Sequence, residues 1–460
     1  MPSKIHSLFK SQFDQIDNSG LVLFRMLFGL LIFAESFGAI LTGWVSDTFI
    51  KPAYTFTVIG LEWLQPIPGN GMYYYFALMA ILGLMVMIGY KYRFSIGLFT
   101  ILWTVTYLMQ KASYNNHYYL LIILCLFMWL SPAGKFASID SNQHPHSASL
   151  TCPRWCISIF KLQIWIVFTY AAIAKLYPGW LTGDFINLAF MPKENYPIIG
   201  TILQEEWLQS IVVHGGILFD LLIIYGLLWK KTRVPAFIIA LLFHLFNSAV
   251  FQIGIFPFMM IALSIFFFDP ETIRSKFFKN KPFTESIRNV AFDQSKRAFL
   301  YFLALFFLVQ LGLPLRNLAM EGNVFWTEEG HRLSWRMMLR IKSGSTSYRV
   351  KNPENDSTWI VNPVTELSAK QVRSMAGKPD MIWQFSQKLK EKYYLQGMKN
   401  IEIYAHSKVR LNKSDFYPII DPNQDLASTN WERFKHSSWI ITPIKELESF
   451  VYPHPASKLR

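Results

Sequence analysis

The chain has 460 residues, a formal net charge of +14, a hydrophobic fraction of 52% and three cysteines. That fraction averages two unlike regions, which excludes a single soluble globule: residues 1–313 are dense in Phe, Leu, Ile and Trp, whereas residues 314–460 carry charges, Pro and Gly throughout. The positive balance does not imply nucleic acid, because many Lys and Arg lie in short loops between apolar stretches, where they orient a membrane protein.

A spanning helix needs about 20 mostly apolar residues, and such stretches recur to residue 313. Nine spans are predicted at about 21–44, 72–90, 94–110, 117–131, 157–176, 207–229, 234–251, 254–268 and 298–313. The first apolar stretch is too long for a cleaved signal-peptide core and is expected to remain as an anchor. An amphipathic piece over 55–64 is expected along the interface. Cys125, Cys152 and Cys156 all precede residue 314, so no disulfide is expected within the later region. Cys152 and Cys156 with His144 and His146 match no familiar zinc spacing, and Pro145 and Pro153 favour a loop.

Basic residues fill alternate loops. One set is Lys91 and Arg93, then Lys135, Arg154 and Lys161, then Lys230, Lys231 and Arg233, then the run from Arg274 to Arg297. The other loops hold only Lys51, Lys111 and Lys193, with Asp184, Glu194, Glu205 and Glu206 nearby. The positive-inside rule then places the N-terminus in the cytoplasm, and nine spans place residues 314–460 in a periplasm or lumen. That region reads as a small α+β domain. It has candidate strands at 336–341, 358–361 and 401–409, a helical stretch over 368–393, and Asn-Pro and Asp-Pro turns between them. The fold class is thus a polytopic α-helical membrane domain, 1–313, with a C-terminal extramembrane α+β domain, 314–460.

Ionisable residues inside spans are costly and mark candidate sites. His117 opens span four in the run Ser113-Tyr114-Asn115-Asn116-His117, and Lys175 closes span five. His214 lies about two turns into span six, and His244 and Asn247 sit near the middle of span seven. All belong to the outer half of the bilayer; Asp220 and Arg25 group less clearly. An amine in apolar surroundings loses the hydration that favours its charge, so Lys175 could act as a base toward a lipid-soluble phenol or quinol. Each also has a plain structural reading. Lys175 could snorkel, His117 could satisfy helix-start groups, and His214 could bond between helices.

At these residues the sequence resembles the vitamin K-dependent gamma-glutamyl carboxylase family, whose membrane part is the horizontally transferred transmembrane (HTTM) domain. The resemblance begins at Leu23-Phe24-Arg25-Met26-Leu27-Phe28-Gly29 and Tyr92-Arg93-Phe94-Ser95. It continues through Asn115-Asn116-His117, Ala174-Lys175-Leu176 with Trp180, and Val212-Val213-His214-Gly215-Gly216. Phe243-His244, Asn247-Ser248, the run Phe251 to Phe256 and Ser334-Trp335-Arg336-Met337-Met338 complete it.

The resemblance implies a carbon-carbon lyase. Lys175 deprotonates reduced vitamin K or menaquinol. Oxygen addition then yields a strong base and the quinone epoxide. That base removes a γ-proton from a peptide Glu, which takes up carbon dioxide. It also implies catalytic roles for Lys175 and His117, and a quinol pocket holding Asn116, His214, His244 and Asn247. The implied partners are membrane lipid, quinol and a Glu-containing secreted protein, with no metal, biotin or nucleic acid.

This sequence departs from animal members, which continue beyond the matched region and carry a disulfide between the two parts. Ala174 also stands where they resemble a Lys pair. The short form resembles bacterial members. Two other readings stay open: a quinol epoxidase that carboxylates no protein, and a non-enzymatic membrane transport or lipid-binding protein, which would favour pseudo-symmetric halves with broken helices.

Overall fold

A computed structural model describes residues 2–288 and 291–442. Nine helical segments lie where the nine spans are predicted: α1 (Ser19–Leu41), α2 (Gly71–Ile88), α3 (Tyr92–Met109), α4 (Asn116–Leu130), α5 (Trp155–Ala174), α6 (Glu206–Leu228), α7 (Arg233–Phe251), α8 (Phe256–Leu263) and, after the short α9 (Pro270–Phe277), α10 (Gln294–Gly312). Among the described residues, six helices are long and apolar enough to cross a membrane: α1, α2, α5, α6, α7 and α10, the last extended by its 3-10 turn. The count is seven if α8 with its 3-10 extension and α9, bent by 112° at their break, form one span. α4 is shorter, at 15 residues.

Glycine sets the tightest contact of the bundle. A Cβ on Gly29 of α1 would stand 2.3 Å from the Met87 backbone, and one on Gly83 of α2 would stand 2.7 Å from the Phe33 backbone. Missing side chains let these two helices meet backbone to backbone, as packing in lipid favours. The core beside them is aromatic. Phe24 lies 5.4 Å from Phe28, 5.3 Å from Phe160 and 4.8 Å from Phe266 between ring centroids. Arg25, fully buried in α1, donates to the carbonyls of Ala133 at 3.1 Å and Ala137 at 2.6 Å. It ties α1 to the turn after α4.

Two short strands, β1 (Gln15–Asp17) and β2 (Thr151–Pro153), pair antiparallel at the end of the bundle where α1 and α5 begin. Beyond α10 lies a four-stranded antiparallel sheet of β3 (Lys342–Asn352), β4 (Ser357–Val361), β5 (Glu402–Leu411) and β6 (Tyr417–Pro418), in the order β4-β3-β5-β6. Along β5 the alternate residues Ile403, Ala405, Ser407, Val409 and Leu411 are buried. That period-two pattern gives the sheet one core face. Helices α11 (Ala369–Ala376) and α12 (Pro379–Leu395) share its core through Met375, Ile382, Phe385 and Leu389.

Two details differ from the sequence expectation. The helix expected over 368–393 is two helices, because Pro379 lacks the amide hydrogen a continuous helix needs. The strand expected at 336–341 is an irregular loop, with left-handed backbone at Leu333, Trp335 and Met338, and the pairing strand is β3 instead. The segment 55–64 is not helical. Its carbonyls are taken from above, by Gln384 at Thr57 (3.2 Å) and, just upstream, by Gln371 at Tyr54 (2.6 Å).

Candidate active site

Lys175 is the residue that ends α5. Pro178, three residues on, starts a new turn, so the helix stops and the lysine stands at its C-terminal end. A cation there meets the negative end of the helix dipole. Its ammonium ion-pairs with Asp220 of α6, and both side chains are buried. The Trp180 ring lies 5.3 Å from the Lys175 nitrogen, and the indole N–H donates to the Val213 carbonyl at 3.1 Å.

The pair lies on the wall of a mostly apolar cavity of about 90 Å³. His117, His244 and Asn247 line it, with Phe168, Phe243, Phe251 and Phe256. The Phe256 ring stacks on His117 at 4.1 Å and meets the His244 ring edge-on at 6.2 Å. His244 is 2% exposed, and its Nδ1 has no hydrogen-bond partner among the described residues. A buried nitrogen without a partner costs stability, so this one is suited to a ligand hydroxyl. Four spans thus bring His117, Lys175, Asp220 and the pair His244 and Asn247 together.

Asn116 and His214 sit elsewhere. Asn115 caps α4 by accepting from the Tyr118 amide, while the Asn116 amide donates to the Arg336 carbonyl at 2.9 Å and accepts from the Tyr114 hydroxyl at 2.8 Å. Asn116 therefore holds the 331–341 loop from below. His214 is exposed, with Nδ1 at 2.9 Å from the Ser210 carbonyl of its own helix, and it does not line the cavity. Asp220, the residue sequence reasoning left ungrouped, takes the inward position on α6.

A second chamber of about 280 Å³ lies above the first, under the sheet-bearing region. His117, Met337 and Met338 line both, so they form the partition. The upper chamber is basic, with Arg336, Arg340, Lys342 and Lys378 around one carboxylate, Glu328. Arg340 meets Glu328 at 2.5 Å and Lys342 meets it at 3.6 Å. Although burial opposes it, Arg340 and Lys342 hold the Glu328 carboxyl at about 2. Burial brings Lys342 down to about 7 and, with Arg332 beside it, Lys378 to about 8. A larger cavity, about 940 Å³ between residues 49–69 and α12, contains neither Lys175 nor a histidine.

Among the described residues no three His, Cys, Asp or Glu side chains converge as a metal site would require. His144 and His146 are exposed, and Cys152 and Cys156 are buried thiols.

The fold and site define a multi-pass membrane protein whose buried lysine–carboxylate pair faces an aromatic chamber beneath an extramembrane α+β region. Residues 13–271, more than half of the chain, match the HTTM domain, and residues 295–446 match the vitamin K-dependent gamma-carboxylase lumenal domain. The chain belongs to the vitamin K-dependent gamma-carboxylase family. No solved structure matches it.

Proposed function

We propose that this chain is a quinol-dependent γ-glutamyl carboxylase, coupling epoxidation of reduced vitamin K or menaquinol to carboxylation of peptide Glu. The observation that carries the reading is the pair of adjoining chambers. The lower one is aromatic and holds Lys175, Asp220, His117 and His244; the upper one is basic.

The lower lining suits a quinol. Its walls offer ring faces to a flat apolar ligand, and the unpartnered His244 Nδ1 offers a hydrogen bond to a hydroxyl. Its volume is below the roughly 300 Å³ at which ligand pockets begin, so loading it displaces side chains. The unbranched Met337 and Met338 can repack for this. Quinol and oxygen together supply the strong base that the proton abstraction needs.

The chain's residues then act in turn. When the proton of the pair moves to Asp220, Lys175 Nζ takes the hydroxyl proton and becomes an ammonium again. His117, stacked on Phe256, and His244, edge-on to it, position the ring. The aromatic walls keep out water, which would quench the base. The substrate Glu comes down from the basic chamber, where Arg340 and Lys342 attract its carboxylate. Its γ-carbon gives up a proton and forms a bond to carbon dioxide. Residues 1–313 are the membrane domain in this scheme and 314–460 the outer one, with a cytoplasmic N-terminus and the sheet in a periplasm or lumen.

The test uses purified protein in nanodiscs with reduced vitamin K or menaquinol, oxygen, labelled bicarbonate and a Glu-rich peptide. Label in peptide together with epoxide, both lost in Lys175→Ala, is the expected result. Epoxide without fixed label would assign an uncoupled quinol epoxidase. Neither product across several quinols and peptides would overturn the enzymatic reading.

A further inference from the structure

A fourth cavity lies at the opposite end of the bundle. Lys161 and Lys175 are both on α5, 14 residues apart, or about 21 Å along the axis at 1.5 Å per residue. Around Lys161 opens a cavity of about 440 Å³, bounded by the start of α5, the start of α7 and the break between α8 and α9. None of the chamber residues described above lines it.

Its cations are Arg154, Lys161, Arg233 and Arg274, and its carboxylates are Asp17, Asp269 and Glu271. Each carboxylate meets a cation, although Asp17 Oδ2 is without a hydrogen-bond partner among the described residues. Asp17 meets Lys281 at 2.9 Å, Asp269 meets Arg233 at 3.2 Å, and Glu271 meets Arg274 at 3.9 Å. Two cations are left over. Lys161 makes no hydrogen bond or salt bridge among the described residues, and its nitrogen lies 5.3 Å from the Phe267 ring centre. Among the described residues Arg154 reaches only Asp14, at 4.0 Å, and its Nε is buried without a partner.

Arg154, Ser158 and Lys161 follow one face of a helix at spacings of four and three, so guanidinium, hydroxyl and ammonium line a single stripe. Thr284 and Ser286 add two hydroxyls to the wall, and an apolar strip with Phe266 and Phe267 runs out to Phe283, which is 62% exposed. Two surplus cations beside a hydroxyl recognise a phosphate. An apolar strip continuing to an exposed aromatic suits acyl chains.

We propose that this cavity binds the headgroup phosphate of an anionic phospholipid, between Arg154 and Lys161, on the membrane face opposite the reaction chambers. Basic pockets between spanning helices recognise such headgroups elsewhere.

The experiment is lipid retention by native mass spectrometry. Delipidated full-length protein is titrated with phosphatidylglycerol, with phosphatidylcholine of the same chains, or with inorganic phosphate. Phosphatidylglycerol should be retained and phosphatidylcholine should not. Losing one cation near an anionic lipid weakens binding roughly fivefold, so Arg154→Gln and Lys161→Gln should each lose that much. Lys161→Arg should keep the lipid, as should Lys279→Gln, which lies outside the cavity; both also guard against a folding artefact. Equal retention of phosphatidylcholine, or unchanged retention in both Gln variants, would overturn the proposal. Binding of inorganic phosphate as tight as that of phosphatidylglycerol would assign a free anion and overturn the lipid.

Discussion

Two charged side chains decide whether the membrane chamber can work. Lys175 and Asp220 face each other across α5 and α6, each shielded from water. Removing one partner of a buried pair costs about 3–5 kcal/mol, whereas replacing both with apolar groups is often neutral. Asp220→Leu should therefore lower the thermal unfolding midpoint sharply. Lys175→Met combined with Asp220→Leu should restore most of it while leaving the protein unable to form epoxide. An Asp220→Leu protein as stable as wild type would mean the pair is not formed. In sequence, Lys175 stands out as an ionisable residue within a span and through the resemblance carried by Ala174-Lys175-Leu176. Sequence reasoning places His214 in the pocket and leaves Asp220 ungrouped, whereas the cavity takes Asp220 and not His214. Six residues apart on a helix of 3.6 per turn, they point about 120° apart, and apolar residues surround both. Only the packing of Val213, Gly216 and Asp220 toward α5 and the Trp180 turn shows which face is inward.

Lys342 carries a second consequence at this scale. Burial lowers it to about 7, so its charge changes near neutrality. The protonated form attracts a carboxylate and the neutral form does not. KM for a Glu peptide should thus be lowest below pH 7 and rise as pH climbs through that value. Lys342→Arg keeps the charge and should flatten the rise, measured as KM against pH at saturating quinol. An unchanged profile in the Arg variant would remove Lys342 from substrate binding.

The loop 331–341 is the element that sequence reasoning misread and that matters most to the site. Its apolar residues imitate a strand, but three left-handed residues fold it into a plug. Trp335, fully buried, stacks on Tyr119 of α4 at 5.0 Å, and Asn116 holds the next carbonyl. Met337 and Met338 are thereby set between the chambers. Such a conformation depends on partners more than two hundred residues distant, and no local pattern encodes it. The sheet, by contrast, was legible from alternation, since β4 and β5 fall on two of the predicted strands. If the methionines partition the chambers, Met337→Ala with Met338→Ala should admit water to the base. Epoxide formed per carboxylated Glu should then rise severalfold. A ratio equal to wild type would place the water barrier elsewhere.

At the scale of the molecule, the question is what seats the sheet-bearing region on the bundle. One apolar cluster runs through both, from Trp180 and Phe190 beside the spans to Trp326 and Tyr348 beyond them. A charged knot lies in the same contact. Asp380 at the start of α12 takes Lys111, from the turn between α3 and α4, and Arg332, from the plug, each at 2.7 Å. The spans were legible from hydropathy alone, but this seating was not, because Lys111 reads as one more loop lysine. Against the pull of burial, Arg332 and Lys111 hold the Asp380 carboxyl well below its ordinary 3.8. A carboxyl lowered in the folded state stabilises fully above its unfolded value, and that contribution fades only as pH falls through the folded value. Asp380→Asn leaves two buried cations facing a neutral amide, at a cost of about 3–5 kcal/mol. The stability gap between wild type and Asp380→Asn should stay constant from pH 7 to about pH 4 and narrow only in stronger acid, as read by denaturant unfolding in detergent. A gap already closing near pH 6 would mean that Asp380 is not held down by its two cations, and that the apolar cluster alone seats the outer region.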